Sequence, residues 1–339
     1  MEKTRSNGID FLRIVSCVAV ILIHTNYYFF KDEIYQPNLG LNYLVESFIN
    51  IVTRFSVPVF VMISGALNLS KERNSNFSYF YKKTFLRVFL PVLIAMVPMM
   101  VFEFLYSYLS KNDILFSLQK LLHSVLIGDF FNLWFIYMLA GLYWLTPFVI
   151  KLKSILSQKD YVRFVIVLLV WAVFSQMFSN QGAAWSMGLV FAYLAYYMMG
   201  DILRESSFRI SGRILLFVSM LTITITFFVR FSGVDYYLES PYTGFFSPTL
   251  VVFSLAMFSY FSRVNFPVSF HRLSNLTFYI YIFHTFVLRV VLATLKSKVH
   301  QPEILEILIF TFIIFFISTL IAKIYQALFD KTISCTFKK

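Results

Sequence analysis

The chain alternates between long apolar segments and short polar segments along almost its whole length. Each apolar segment is about 17 to 25 residues long, which is the length that a helix needs to cross about 30 Å of hydrocarbon. Membrane-spanning β-strands would instead be short and would alternate apolar with polar residues. The pattern therefore predicts ten membrane-spanning helices, at about residues 9–30, 48–69, 85–108, 132–150, 162–178, 184–203, 213–231, 245–263, 276–295 and 305–328.

The composition favours the same fold class. Of the 339 residues, 59% are hydrophobic, 14% are charged and 42 are phenylalanine. A soluble domain of this composition would expose large apolar patches to water. We therefore expect an all-α integral membrane protein in which residues 1–339 form one polytopic domain. Its expected location is the cell membrane, and specifically a bacterial cytoplasmic membrane.

Lysine and arginine concentrate in alternate loops, which indicates the orientation of the helices. The basic loops contain residues such as Lys3, Arg5, Lys71, Arg73, Lys82, Lys83, Arg87, Lys151, Lys153, Lys159, Arg204, Arg209, Arg263 and Arg272. Basic loops of membrane proteins face the cytoplasm, so both termini are predicted to be cytoplasmic. Because the net charge of +12 follows from this topology, we expect membrane lipids rather than nucleic acid as partners. The sequence leaves the oligomeric state open.

The first span contains an arginine and a histidine on one face. Arg13 and His24 are eleven positions apart, and eleven helical steps return a side chain to within about 20° of its starting direction, about 16 Å further along the axis. Ionisable groups in hydrocarbon cost free energy and usually line a pathway or a site. The two cysteines, Cys17 and Cys335, predict neither a disulfide nor a metal site.

Arg54 adds a third ionisable side chain at a similar depth. The predicted spans place His24 about 22 Å from the cytoplasmic side and Arg54 about 10 Å from the outer side. A buried guanidinium needs an acceptor, such as a substrate anion or a carbonyl group. Two interpretations stay open: either the residues form a site, or Arg54 extends to the outer interface and His24 is a packing residue.

A basic cluster precedes the third span, at Lys82, Lys83 and Arg87. The positive charge of cytoplasmic loops, with contacts to lipid headgroups, is one sufficient explanation. The other is a clamp for the phosphates of a cytoplasmic cofactor such as coenzyme A, and composition does not separate the two. In the preceding span, Pro58 predicts a kink and Gly65 predicts close packing near the cytoplasmic end.

These residues and three further motifs together resemble the membrane acyltransferase-3 family. The motifs are Arg13-x10-His24, Phe60-Val61-Met62-Ile63-Ser64-Gly65, Lys82-Lys83-x3-Arg87-x3-Pro91, Leu133-Trp134-Phe135-Ile136-Tyr137 with its continuation to Pro147, and Tyr279-Ile280-Tyr281-Ile282-Phe283-His284. Their order within the ten-span layout makes the resemblance fairly specific, and it covers essentially the whole chain. Asn132 departs from the pattern, since many relatives have a histidine at that place.

The resemblance implies a function. The family acylates exported or lipid-linked carbohydrates, often by O-acetylation, with an acyl-CoA donor from the cytoplasm. We therefore expect acyl-CoA, most simply acetyl-CoA, as the donor and a surface polysaccharide or its lipid-linked precursor as the acceptor, with no metal. Some relatives append an SGNH hydrolase-like domain, and the chain resembles the stand-alone branch that lacks one.

The resemblance, together with the chemistry of the side chains, gives expected roles for individual residues. It places the family's essential histidine at His24, as a general base toward the acceptor hydroxyl or as a transient acyl carrier. Arg13 would hold the phosphate or thioester end of the donor, and Arg54 would stabilise oxyanion charge or orient the donor. The donor-binding candidates are Lys82, Lys83 and Arg87, and the candidates for acceptor binding or a second site are Asn132, Trp134, Tyr137 and His284.

Two other classes of membrane protein remain as alternatives. A glycan polymerase or a flippase for lipid-linked sugars would also be apolar, with intramembrane arginine and histidine, but polymerases often have a large outer loop. The longest outer connections predicted here, at about residues 31–47 and 109–131, are modest. A secondary transporter would be expected to show inverted repeats or glycine-broken helices. Only 11 glycines are present.

Overall fold

The computed structural model describes residues 6–35, 41–128, 130–132, 134–178, 188–206, 210–231, 244–295 and 304–337. Every regular element within these ranges is helical. In chain order the helices are α1 (Asn7–Tyr35), α2 (Leu41–Thr53), α3 (Ser56–Asn68), α4 (Phe77–Thr84), α5 (Leu90–Lys111), α6 (Ile114–Leu126), α7 (Trp134–Ile155), α8 (Gln158–Phe178), α9 (Leu189–Glu205), α10 (Gly212–Phe231), α11 (Pro248–Phe261), α12 (His271–Leu295) and α13 (Ile304–Phe337).

Nine helical segments of the described chain are long and apolar enough to cross a membrane. This finding confirms the all-α integral membrane class, and the protein is a multi-pass membrane protein. Eight of the nine segments overlap predicted spans: Asn7–Phe30, Tyr43–Asn68, Phe77–Lys111, Trp134–Ile155, Gln158–Phe178, Gly212–Val229, His271–Val291 and Ile304–Lys331.

The other two predicted spans overlap helices that are shorter than a typical crossing of about 20 residues. The span predicted at 184–203 overlaps α9, which has 17 residues, and the span at 245–263 overlaps α11, which has 14. Residues 184–187, and Leu133 in the span predicted at 132–150, lie outside the described residues. In α9 every residue from Ala192 to Asp201 is buried, as expected of a helix in the centre of a bundle.

Helix α6 lies within residues 109–131, which the sequence placed in an outer connection. Asn112 ends α5 in the left-handed conformation, with φ of 53°. Asp113 then caps α6 by accepting a hydrogen bond from the Phe116 amide at 3.0 Å. Segment Ile114–Asn132 is the ninth long apolar segment. Its polar positions include Lys120, which faces α5 and lies 3.5 Å from Glu103, so α6 packs on α5 through an ion pair.

The second predicted span is divided into α2 and α3 at Arg54 and Phe55. Pro58 is the third residue of α3. Its missing N–H therefore falls in the first helical turn, where an amide has no intrahelical acceptor. The predicted kink is confirmed, and it lies just before the proline.

Helices α3 and α9 approach each other closely through two glycines. A Cβ atom on Gly65 would overlap the carbonyl oxygen of Tyr197, and one on Gly200 would overlap the carbonyl oxygen of Met62. Small residues at such crossings let two backbones come into contact within a membrane. The close packing predicted at Gly65 is thereby confirmed, and it fixes α3 against the buried centre of the bundle.

Candidate active site

Three elements meet around His24: helix α1, the connection between α6 and α7, and helix α12. The Nδ1 atom of His24 lies 3.4 Å from the side-chain nitrogen of Asn132. The rings of His24 and His284 have centroids 5.3 Å apart. His284 is buried, whereas His24 is partly exposed. Of the residues predicted from sequence, the structure therefore brings His24, Asn132 and His284 together.

Asn132 reaches His24 because the helix is interrupted before α7. Phe131 and Asn132 both have left-handed backbones, with φ of 47° and 56°, so the chain cannot continue as a helix through them. Their carbonyl groups are instead held by α12. Thr285 Oγ1 donates to the Phe131 carbonyl at 2.9 Å, and the Tyr281 hydroxyl donates to the Asn132 carbonyl at 3.0 Å. Irregular backbone at membrane depth usually lines a site or a water-filled cavity.

The hydrogen bonds assign the ring protons of the two histidines. Nδ1 of His284 donates to the Tyr281 carbonyl at 2.6 Å, so Nε2 carries the lone pair. This Nε2 is buried and has no hydrogen-bond partner among the described residues. The Asn132 amide, as oriented in the structure, donates to Nδ1 of His24. Each imidazole thus presents one lone pair that can accept a proton.

A cavity of about 650 Å³ extends from the predicted cytoplasmic side toward the two histidines. Arg13 and Arg87 line it together with Asp330. At the other end it is lined by Phe135 and Tyr281. The ring of Tyr281 has its centroid 5.3 Å from that of His284, so the cavity ends beside the histidine pair. Its volume is in the usual range for small-molecule and cofactor sites.

The three residues of the basic cluster that precedes the third span lie in different environments. Arg87 lies in a π-helical turn, Phe85–Phe89, and lines the cavity. Lys83 donates to the Asn74 side chain at 3.2 Å, and Lys82 is exposed. Neither lysine is part of the cavity lining. A π-helical turn shifts the direction of the side chains that follow it and is frequent at functional sites. Pro91 follows this turn and has no N–H to donate to the Arg87 carbonyl.

Arg54 is buried, with 8% of its surface exposed. Its Nε donates to the Asn50 side chain at 2.6 Å, and the guanidinium lies 5.5 Å from the centre of the Phe245 ring. This burial argues against a side chain that extends to the outer interface. The Phe245 ring in turn packs against Trp134 with centroids 6.1 Å apart. Arg54 therefore reaches the Asn132 region through two aromatic rings and not through direct contact.

Trp134 and Tyr137 shape the segment that carries Asn132. The Trp134 ring also packs against Phe135 and Tyr193. The Tyr137 hydroxyl donates to the Val125 carbonyl at 2.9 Å, which ties the end of α6 to the start of α7. Both residues thus hold the interrupted helix in place.

Sequence reasoning missed the part that Tyr281 plays. Its hydroxyl holds the Asn132 backbone, its carbonyl accepts from His284, and its ring lines the cavity. The spacing of Tyr281 and His284 was a usable signal, because residues three apart on a helix share a face.

Asp10 was also missed. It is buried near the start of α1 and accepts from Ser274 at 2.7 Å, which joins α1 to α12 beside the cavity.

Comparison with known proteins identifies the family. No curated protein and no solved structure matches the chain. The family model described as "Acyltransferase domain", that of the acyltransferase-3 family, matches residues 6–323. This range includes His24, Asn132, His284 and both arginines of the cavity. The chain therefore belongs to the acyltransferase-3 family of membrane acyltransferases.

Proposed function

We propose that the protein transfers an acyl group, most simply acetyl, from cytoplasmic acyl-CoA to a hydroxyl of a surface polysaccharide or its lipid-linked precursor. The observation that carries this proposal is that the His24–His284 pair lies next to Tyr281, which lines the inner end of a cavity whose other end has two arginines. Such an enzyme would work in the cytoplasmic membrane of a bacterium, where both the donor and exported glycans are within reach.

The cavity suits a donor that is anionic at one end and neutral at the other. Arg13 and Arg87 outnumber Asp330 in its lining, so the net charge near the predicted cytoplasmic side attracts phosphates. Phe135 and Tyr281 offer an apolar, aromatic wall further in. The helical rise from Arg13 to His24 is about 16 Å. Phosphates held at the arginines would therefore leave the pantetheine arm directed along the cavity, with the thioester near the histidines.

The proposed chemical step is attack of the acceptor hydroxyl on the thioester carbonyl. The Nδ1 lone pair of His24 accepts the hydroxyl proton while the oxygen forms a bond to the carbonyl carbon. The carbon–sulfur bond then breaks, CoA leaves as a thiolate, and the proton passes from His24 to that thiolate. Asn132, which is hydrogen-bonded to the same Nδ1 at 3.4 Å, can turn its amide toward the developing oxyanion when the acceptor takes its place.

His284 is proposed as the second imidazole of this site. Its Nδ1 is held by the Tyr281 carbonyl, and its buried Nε2 lone pair lies beside His24. A proton taken up by His24 therefore has a neighbouring acceptor, which disperses the charge before the thiolate leaves. Arg54 supports the site from a distance by fixing Phe245 and, through it, Trp134.

The test is acyl transfer by purified protein in lipid nanodiscs, with acetyl-CoA labelled in the acetyl group. We expect label to appear as an ester on added bacterial surface polysaccharide or on a lipid-linked oligosaccharide. His24→Ala should abolish it, whereas the matched variant His123→Ala, which changes an exposed histidine of α6, should retain it. Folded wild-type protein that neither binds acetyl-CoA nor releases CoA in the presence of such acceptors would refute the proposal and return attention to flippases or transporters.

A further inference from the structure

Three charged residues form a cluster at the far end of the molecule from Arg13 and Arg87. Glu103 of α5 is paired with Arg289 of α12 through direct contact and with Lys120 of α6 at 3.5 Å. We name these three residues the outer cation cluster. The loop charges place it toward the outer side of the membrane, because Arg289 lies near the end of a helix that begins at His271 on the cytoplasmic side.

The charges of this cluster do not balance. The Glu103 side chain is 8% exposed, and a buried carboxylate needs one cation to compensate it. Here it has two. The side chains of Arg289 and Lys120 are 43% and 48% exposed, and neither forms a further ion pair within the described chain. The cluster therefore carries one uncompensated positive charge at the surface. An ion pair between two helices would need only one of the two cations.

The cluster is also connected to the candidate active site. The Arg289 guanidinium lies 5.3 Å from the centre of the Phe131 ring, and Phe131 adjoins Asn132. His284 and Arg289 are on the same helix, with a rise of about 7.5 Å between them and side-chain directions about 140° apart. Phe131 connects the two directions, because its carbonyl accepts from Thr285, next to His284, and its ring contacts Arg289. The axial rise is on the scale of one sugar ring with its substituents. A sugar hydroxyl at the histidines and a phosphate at the cluster could therefore belong to a single molecule.

We infer that the outer cation cluster is a subsite for the phosphate of a membrane-anchored molecule, and that this molecule is a glycan joined to its lipid through a phosphate or diphosphate. The inference rests on the proposed function and specifies its acceptor. Arginine offers a planar set of donors that matches phosphate oxygens, and lysine adds an adjacent point charge. A phospholipid headgroup also carries a phosphate. The experiment therefore has one arm for a lipid-linked glycan and one arm for a phospholipid.

The first arm compares two acceptors, a polyprenyl-diphosphate-linked disaccharide and the methyl glycoside of the same disaccharide. Lys120→Gln removes the uncompensated charge and keeps the Arg289–Glu103 pair. We expect it to lower the ratio of kcat/KM for the diphosphate acceptor to kcat/KM for the glycoside by at least about tenfold. The control Lys111→Gln removes an exposed cation at the end of α5 and should leave that ratio within about twofold.

The second arm needs no acyl transfer. Native mass spectrometry counts molecules of phosphatidylglycerol retained by the purified protein, with a neutral glycosyl diacylglycerol for comparison. Loss of retained phosphatidylglycerol in Lys120→Gln, with an unchanged acceptor ratio, would assign the phosphate subsite to a membrane phospholipid. Glu103→Gln removes the carboxylate that pairs with Arg289 and Lys120. It should therefore increase binding of the phosphate-containing molecule, whether that is the diphosphate acceptor or phosphatidylglycerol.

The two proposals fail in different ways. If the wild-type protein acylates neither acceptor, the proposed function fails, and the mass-spectrometry arm still decides whether the cluster binds phosphate. If Lys120→Gln equals Lys111→Gln in both arms, and Glu103→Gln folds without tighter phosphate binding, the cluster is only an interhelical contact and the inference is overturned.

Discussion

His24 and His284 lie on the first and the twelfth described helices, yet their rings have centroids 5.3 Å apart. Contacts between α1 and α12 bring them together, among them the hydrogen bond from Ser274 to the buried Asp10. Two neighbouring imidazoles at the end of a cavity favour a reaction in which a proton is taken up and then given back.

Removal of either imidazole should affect the chemical step. His24→Ala should lower turnover to background and leave the Kd for acetyl-CoA within about threefold, because a lost base acts on the barrier and not on ground-state binding. His284→Ala should lower kcat by about tenfold to a hundredfold. Transfer assays with labelled acetyl-CoA and calorimetric titration of the donor measure both effects. Full turnover of folded His24→Ala would eliminate the mechanism.

The arginines of the cavity should act on donor binding. Arg13→Ala and Arg87→Ala should each raise the Kd for acetyl-CoA by about tenfold or more, since a charged hydrogen bond to phosphate contributes about 1.5–3 kcal/mol. Arg163→Ala is a suitable control, because Arg163 is 75% exposed on α8 and pairs with Asp160. Equal Kd values for all three variants would show that the donor binds elsewhere.

Turnover should depend on the guanidinium group of Arg54 and not only on its positive charge. Arg54→Lys keeps the charge but loses the Nε–H that donates to Asn50 at 2.6 Å and the planar group over Phe245. We expect normal insertion and a loss of at least about tenfold in turnover, equivalent to about 1.4 kcal/mol. Turnover per folded molecule within about twofold of wild type would make Arg54 a structural residue only.

Replacing a glycine at the crossing of α3 and α9 by alanine should destabilise the protein. Gly200→Ala places a methyl group where the Met62 carbonyl oxygen lies, so we expect a loss of about 1–3 kcal/mol and a clearly lower Tm in a detergent thermal-shift assay. In Gly212→Ala the nearest atom to the new methyl group is the Tyr260 hydroxyl oxygen at 3.3 Å. That variant should unfold near the wild-type temperature, and a similar drop in both would contradict the packing argument.

The orientation assigned from loop charges can be checked with single cysteines, in a chain that carries Cys17→Ser and Cys335→Ser. Asn112 and Ser157 are both exposed. They lie in the α5–α6 and α7–α8 connections, which the loop charges place on opposite sides of the membrane. In intact cells Asn112→Cys should react with a membrane-impermeant maleimide, and Ser157→Cys should react only after permeabilisation. The reverse pattern would invert the topology.

The fold could be predicted largely because apolar segments of spanning length are visible in the sequence. The common face of Arg13 and His24 also follows from helical periodicity, since α1 is helical through both. The kink near Pro58 and the contact at Gly65 follow from residue chemistry. Each of these predictions depends on interactions within one segment or on the solvent that surrounds it.

The remaining features depend on contacts between distant segments. Nothing local indicates that the Asn132 carbonyl is held by Tyr281, or that Lys120 belongs to a helix that packs on Glu103. Such positions are set by tertiary contacts, which override local preference.

The left-handed backbone at Asn132 has a consequence for what this position can accept. Most residues pay about 1–2 kcal/mol in that conformation, whereas asparagine and histidine adopt it more readily than others. A relative with histidine at this place would satisfy the same backbone and add a titratable ring next to His24. Asparagine adopts the same backbone conformation but has no titratable side chain. In the proposed mechanism, proton transfer therefore falls to His24 and His284, and the asparagine at the helix break serves the backbone geometry without titrating.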